Sequence, residues 1–304
     1  MGRQDKPLAF PVMKTALRYL AAVLVLMSAF SFRTSAKKED FRAMSFNIRF
    51  QFPADTGKLS WEARKGGCIK AIEKYKPDVI GFQEAYPYHK ADLKKELGKY
   101  VMVDRGGKPG TPDLELKNNE NPVMFRADRL ELLDYGYFWL NEDQTPDKKG
   151  WDAASVRNAT WVKLKYKKSG RIFFYFNVHM DHRGANARLQ SAALIVEKIK
   201  EIAGDDAVVF LGGDFNMPDT EKGIKPLQDY MKDAAAALGK KADQAPTFND
   251  FGRKGSKPMW LDHLMFRGAT VKSFIVVDEK KYGVEYISDH YPIVADFIIP
   301  VPKK

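Results

Sequence analysis

The chain has 304 residues, 44% hydrophobic and 29% charged, with 22 Gly, 16 Pro and one Cys. That apolar fraction excludes a disordered chain, the Gly and Pro content excludes a collagen-like or low-complexity one, and a lone Cys68 excludes an internal disulfide framework. The formal charge of +11 favours anionic partners; residues 1–36 hold five basic groups against one acid, which leaves +7 on residues 37–304.

Residues 1–36 read as a targeting segment. Lys14 and Arg18 precede an apolar run from Tyr19 to Phe32, and Thr34-Ser35-Ala36 offers small residues at a cleavage point. The run is shorter than the roughly 20 apolar residues of a spanning helix. An uncleaved N-terminal anchor is the alternative. The expectation is an exported protein, periplasmic or extracellular, with no stable membrane insertion once the segment is removed. Residues 37–304 then form one domain, since no linker interrupts them.

From Phe41 onward strand and helix patterns alternate. Residues 42–50 read as a strand, 61–75 as a helix weakened by Gly66-Gly67, 78–84 as a short buried strand ending on Gln83-Glu84, and 90–97 as a short helix. Residues 104–122 are rich in Gly, Pro and Asn and read as a loop. Strands follow at 122–125 and 130–140, and 160–167 pairs with 171–180 around Ser169-Gly170. A helix spans 186–203, with Leu189, Ala193, Val196 and Ile199 or Lys200 spaced for one buried face, and strands close the chain at 207–212, 260–266, 271–277 and 292–299. Strands outnumber helices and several look buried on both faces. That suggests two packed sheets with helices outside.

Polar residues cluster where strands end, where a rigid scaffold aims side chains into a common cleft. Asn47 closes Met44-Ser45-Phe46-Asn47, and Glu84 closes Ile80-Gly81-Phe82-Gln83-Glu84. His179, Asp181 and His182 end another apolar run; Asp214 and Asn216 follow Leu211-Gly212-Gly213. Asp262-His263 interrupts an apolar segment, and Asp289-His290 precedes the last strand. Singly, each has a plainer reading: Asn47 and Asp214 as turn residues, Glu84 as a solvated carboxylate, His179 as a core histidine. Together they suit metal-assisted attack on a phosphoryl group. Carboxylates and an amide carbonyl are hard ligands for Mg²⁺ or Mn²⁺, and histidines stabilise phosphoryl charge. A structural zinc is disfavoured by the single Cys, although the His179-Met180-Asp181-His182 run offers zinc two imidazoles. Cys68 lacks a catalytic neighbourhood and reads as a small buried apolar residue.

In this order the motifs Ser45-Phe46-Asn47, Gln83-Glu84, His179-Met180-Asp181-His182, Gly213-Asp214-Phe215-Asn216, Leu261-Asp262-His263 and Ser288-Asp289-His290-Tyr291-Pro292 resemble the endonuclease/exonuclease/phosphatase (DNase I-like) superfamily, in a bacterial exported form. The resemblance implies an α/β (α+β) fold. This is a four-layer α-β-β-α sandwich of two packed, mainly antiparallel sheets flanked by helices. It implies Glu84 as the principal Mg²⁺ (or Mn²⁺) ligand with Asn47 and Asp289. It gives His290, paired with Asp262, a contact to the scissile phosphate. Asp214 orients or activates the attacking water, Asn216 holds a phosphate oxygen, and His179 faces the phosphate from the other side with Glu120 as its acidic partner. Arg157 and His182 are candidate substrate contacts. Asn249 stands where the family often has His.

The resulting expectation is a divalent-metal-dependent phosphoester hydrolase: a nuclease, phosphodiesterase or phosphatase. Its partner is a phosphorylated substrate, nucleic acid included, with no obligate protein partner. The competing reading is a catalytically inert phosphate- or nucleic-acid-binding protein on the same fold.

Overall fold

The computed structural model describes residues 1–2, 38–104, 121–240, 246–277 and 279–300. The chain divides into Met1–Ala36 and Lys37–Lys304. The expected targeting segment lies almost wholly outside the described residues, and the architecture below is that of the second unit. Among the described residues no helix is long and apolar enough to cross a membrane.

Among the described residues, twelve strands form two six-stranded sheets. The first contains β1 (Lys38–Asn47), β2 (Val79–Gln83), β3 (Tyr100–Val103), β4 (Val123–Arg126), β11 (Thr270–Val276) and β12 (Ile293–Pro300), in the order β11-β12-β1-β2-β4-β3. The second contains β5 (Leu130–Trp139), β6 (Asn158–Tyr166), β7 (Ile172–His179), β8 (Val209–Asp214), β9 (Lys232–Asp233) and β10 (Asp262–Arg267), in the order β5-β6-β7-β8-β10-β9. Of these pairs, β1–β2 and β7–β8 run parallel and the others antiparallel. The helices are α1 (Trp61–Tyr75), α2 (Pro87–Glu96), α3 (Ala185–Ala203) and α4 (Lys225–Tyr230).

The layering follows from which face each residue presents. Phe41, Phe173, Phe210 and Phe297 meet between the sheets, with Phe41 at 4.3 Å from Phe210 and 4.8 Å from Phe173 by ring centroid. Alternate residues of β1 and β2 (Met44, Phe46, Ile80, Phe82) point the other way, onto Cys68, Ala71 and Ile72 of α1 and Leu93 of α2. Phe174, Phe176, Val209 and Leu211 likewise pack on Ala192, Ile195 and Ile199 of α3 and Leu227 of α4. Helices therefore cover both outer faces, as the four-layer expectation required. Central strands buried on both faces read as continuous apolar runs, which is why Val79-Ile80-Gly81-Phe82 shows no alternation.

Element boundaries differ in instructive places. The first strand stops at Asn47 rather than 50 because Arg49 adopts a left-handed φ of 61°. The second helix begins at Pro87, not 90, since proline's fixed φ suits a first helical turn. Strand β3 and helix α4 carry no clear mark in the sequence; both are short. The expected loop at 104–122 falls mostly outside the described residues, and Glu120 falls outside with it.

The Gly67 of the expected weak pair is a packing requirement. A Cβ there would lie 2.6 Å from Val284 and 2.8 Å from Ile287, so only glycine lets that segment cross the helix. Between the sheets, Asn177 of β7 donates to Phe82 O at 2.7 Å and to Pro122 O at 3.1 Å, and Gln83 donates to Asn177 Oδ1 at 2.7 Å. This buried amide bridge ties β2 to β7 immediately below the polar strand ends.

Candidate active site

The parallel pairs decide where the site lies. β1 and β2 end side by side at Asn47 and Gln83, and β7 and β8 at His179 and Asp214. Asp262, first residue of β10, is register partner of Asp214, so His179, Asp214 and Asp262 form one row across three strands. Asn47 reaches over from the other sheet and donates through Nδ2 to Asp214 Oδ2 at 3.0 Å. Residues from both sheets thus meet at one end of the sandwich.

Asp214 is the hub. Its Oδ2 faces His179 Nε2 and His290 Nε2, each at 3.6 Å, while Oδ1 accepts from Asn216 N at 2.8 Å. Burial would raise this carboxyl, but the two histidines, the Asn216 amide and the Asn47 side chain outweigh it and hold it below the usual carboxylate range. His290 donates through Nδ1 to Asp262 Oδ2 at 2.8 Å. Burial opposes the charged ring, yet carboxylates on both sides push its pKa up to about 10. Burial in turn lifts Asp262, against the pull of the adjacent His290 ring. Ser288 fixes the backbone here, accepting from His290 N at 3.2 Å and donating to Asn47 O at 2.7 Å.

Donor atoms of Asp214, Asp262 and His290 lie within 4.8 Å of one another, close enough to bracket a cation. In this trio the His290 ring also stands between two carboxylates. The oxygen donors beside it differ in kind. Glu84 follows β2 at a φ of 59°, and this left-handed turn brings its carboxylate back to Asn47 Nδ2 (3.3 Å) and Phe50 N (3.0 Å). Asp289 accepts from Ser288 Oγ at 3.3 Å and pairs with Arg49 at 3.2 Å. Glu84, Asp289 and the Asn47 carbonyl form a hard, sulfur-free donor set that fits Mg²⁺ or Mn²⁺.

The other expected residues fall into two groups. Asn216, at a φ of 52°, donates one of its two amide hydrogens to Met180 O at 3.0 Å. Asp181 accepts from the backbone of Ser155, Arg183 and Gly184 at 2.7–2.9 Å. Burial works against that charge, but these amides hold it down at about 2. Asp181 therefore organises the turn into α3. Arg157 is buried, 3.9 Å from Asp181 and 3.4 Å from the Nδ1 of exposed His182, so it is not a surface strand residue. Asn249 is engaged locally, accepting from Phe251 N and donating to Ser288 O. Cys68 is buried and its thiol is pushed up to about 12 by desolvation, which makes it inert.

Sequence reasoning missed two arginines. Arg49 carries a chain of ion pairs from Asp289 through buried Asp55 to Arg253. Arg64 is wholly buried on the inner face of α1 and donates to Leu59 O (2.8 Å), Ile48 O (3.0 Å), Arg49 O (3.1 Å) and Ile287 O (2.7 Å). It clamps the segment after Asn47 to the segment before Asp289. The available signal was a charged residue three positions after Trp61 and four before Cys68, inside the helix's apolar stripe.

The model of the Endonuclease/Exonuclease/phosphatase family matches residues 44–290. An endonuclease/exonuclease/phosphatase from Bacteroides vulgatus is 33% identical, with a TM-score of 0.74 over 85% of this chain and 98% of that one. The mannosyl-6-phosphatase of Bacteroides thetaiotaomicron is 27% identical, with a TM-score of 0.74 over 84% and 99%. Among curated proteins, tyrosyl-DNA phosphodiesterase 2 of Danio rerio is 24% identical over 258 residues, 80% of this chain and 63% of that protein. An uncharacterised protein of Acanthamoeba polyphaga mimivirus is 25% identical over 237 residues, 67% of this chain and 34% of that protein. The chain thus spans less than two thirds of these curated relatives.

Proposed function

Since the chain belongs to the endonuclease/exonuclease/phosphatase family, we propose that it is a divalent-metal-dependent phosphoester hydrolase using in-line attack by water. The observation that carries this reading is the convergence of Asn47, His179 and His290 on one oxygen of Asp214. In this reading Asp214 accepts a hydrogen bond from the attacking water and takes its proton. His290, held by Asp262, donates to a phosphoryl oxygen, and His179 faces the phosphate from the opposite side. Asn216, Arg157 and His182 contact the remaining oxygens or the group esterified to them. The P–O ester bond breaks as the new P–O bond forms; the departing oxygen takes a proton from solvent water, and the proton held by Asp214 returns to solvent.

Glu84, Asn47 and Asp289 are the residues that would hold Mg²⁺ or Mn²⁺. When bound, the ion supplies positive charge to the phosphoryl oxygens. Arg49 keeps these acidic groups together by lying against Asp289 and near Glu84, and its own charged form is favoured there despite burial.

The test uses the purified chain and a panel of nucleic acids, nucleotides, phosphosugars and lipid headgroups, with Mg²⁺, Mn²⁺ or a chelator. Hydrolysis is expected only with metal. Glu84→Ala, Asp214→Ala and His290→Ala should each remove most activity while circular dichroism stays unchanged. Wild-type rates in all three variants would refute the assignment. Export is proposed alongside, on the composition of residues 1–36 alone; cell fractionation with and without that segment checks it.

A further inference from the structure

A patch of aromatic rings adjoins the candidate metal ligands. Phe52, Tyr86 and Tyr88 are 46%, 38% and 38% exposed, large values for such side chains. Phe50 joins them: its ring centroid is 5.9 Å from Phe52 and 5.5 Å from Tyr86, and Tyr86 lies 6.3 Å from Tyr88. Phe50/Tyr86 and Tyr86/Tyr88 are inclined by only 30° and 27°, so these three rings run as an offset series. The Arg49 guanidinium lies 5.1 Å from the Phe50 centroid and 5.6 Å from that of Phe52, while also pairing with Asp289.

The patch is fixed in place. Phe50 N donates to Glu84 Oε2 and Gln51 N to the Tyr88 hydroxyl at 2.7 Å, which fastens the loop after β1 to the start of α2. Beneath it, buried His89 packs 4.2 Å from Tyr88 and 4.4 Å from Trp61, and its Nδ1 accepts from Tyr86 N. A hydrophobic core would have buried these rings. Here backbone hydrogen bonds hold them with ring surface exposed, next to the carboxylate that the proposed chemistry uses.

We propose that Phe50, Phe52, Tyr86 and Tyr88 form a stacking subsite for a nucleobase carried by the phosphoester, beside the reacting phosphate. This deepens the hydrolase reading and rests on it for the phosphate's position. A flat unsaturated ring extends an offset aromatic series and is attracted to the interleaved guanidinium. A pyranose would need partners for its hydroxyls. Phe50 and Phe52 offer none, and the Tyr88 hydroxyl, which accepts from Gln51 N, offers only its own hydrogen. Nucleobases reach the site from two sources, mononucleotides and the ends of single strands, and both present the same face.

The test titrates the full chain with adenosine 5′-monophosphate, a short oligothymidylate, mannose 6-phosphate or glycerol 3-phosphate, followed by ligand NMR with a chelator present. Without divalent metal nothing turns over, so binding is read separately from catalysis and the stacking result stands whether or not the chain proves to be an enzyme. The wild type should bind the base-bearing probes about tenfold more tightly than the other two. Phe52→Ala should remove most of that advantage and leave mannose 6-phosphate and glycerol 3-phosphate unaffected; Phe52→Trp should restore it. Since Phe52 is half exposed, its truncation leaves the core filled. A larger loss with the monophosphate assigns the subsite to mononucleotides, and a larger loss with the oligomer assigns it to strand ends. Equal binding by wild type and Phe52→Ala, or tighter binding of mannose 6-phosphate than of either base-bearing probe, overturns the proposal.

Discussion

His290 donates through Nδ1 to Asp262 at 2.8 Å, and that bond determines which edge of the ring faces Asp214. Asp262 thus acts through the imidazole and has the role of a positioning residue. Asp262→Asn keeps the size and removes the charge, so the ring keeps at most a weaker, neutral acceptor and loses the carboxylate that favours its charged form. Hydrolysis should fall by about 10²–10⁴ in kcat, with KM changing far less. Steady-state kinetics on any accepted ester measures this, and a variant within twofold of wild type would mean that Asp262 serves packing alone.

The fold was legible where burial writes itself into composition. Val79-Ile80-Gly81-Phe82 and Phe173 to Val178 are too apolar for a sheet with a wet face, so a sandwich followed. The polar strand ends were legible for the same reason, since an Asn, Glu or Asp closing such a run stands out. What sequence does not carry is the pairing across distance. Nothing in Arg64 announces four carbonyls from three separate segments, and nothing in Asn216 announces that its amide goes to Met180 O. By pattern Arg49 continues a strand; its left-handed φ instead turns it into the site.

Arg64 links both halves of the candidate metal site through Ile48 O and Ile287 O. Arg64→Met fills similar space but leaves those carbonyls, and those of Leu59 and Arg49, without their donor. The change should destabilise the protein by about 3 kcal/mol, a Tm drop of about 6–12 °C. Metal affinity should weaken as well, because Asn47 and Asp289 lose their common clamp. Urea unfolding and metal titration read the two effects; a loss of stability below about 1 kcal/mol would contradict the clamp.

His263 offers a pH-dependent contribution away from the reacting groups. Its Nδ1 donates to Asp233 at 2.9 Å and its Nε2 to Met217 O at 3.1 Å, so both nitrogens carry protons. Burial opposes that charge, but Asp233 and the carbonyl prevail and the folded pKa is raised above its ordinary value. A raised pKa means the folded state binds the proton more tightly than the unfolded one. The stabilisation is complete below the unfolded value of about 6.5 and is lost as pH rises through the folded pKa. Wild type should therefore exceed His263→Gln in stability by most at mildly acidic pH, with the gap narrowing toward alkaline pH. Urea unfolding across that range checks the sign, and a gap that widens with pH would exclude a buried imidazolium.

Adjacent glycines of α1 should respond in opposite directions to the same substitution. At Gly66 a Cβ meets nothing within 4 Å, so Gly66→Ala only removes glycine's excess backbone freedom from a helix interior. A gain of about 0.5–1 kcal/mol is expected. At Gly67 the same methyl would lie 2.6 Å from Val284 Cγ2 and 2.8 Å from Ile287 Cγ2. These side chains belong to the segment leading to Asp289, and relieving the clash means moving that segment off the helix. Gly67→Ala should therefore destabilise by about 1–3 kcal/mol and also weaken metal binding, whereas Gly66→Ala leaves metal binding alone. Thermal unfolding separates the two variants, and a shift of the same sign in both would show that residues 284–287 do not press on this helix.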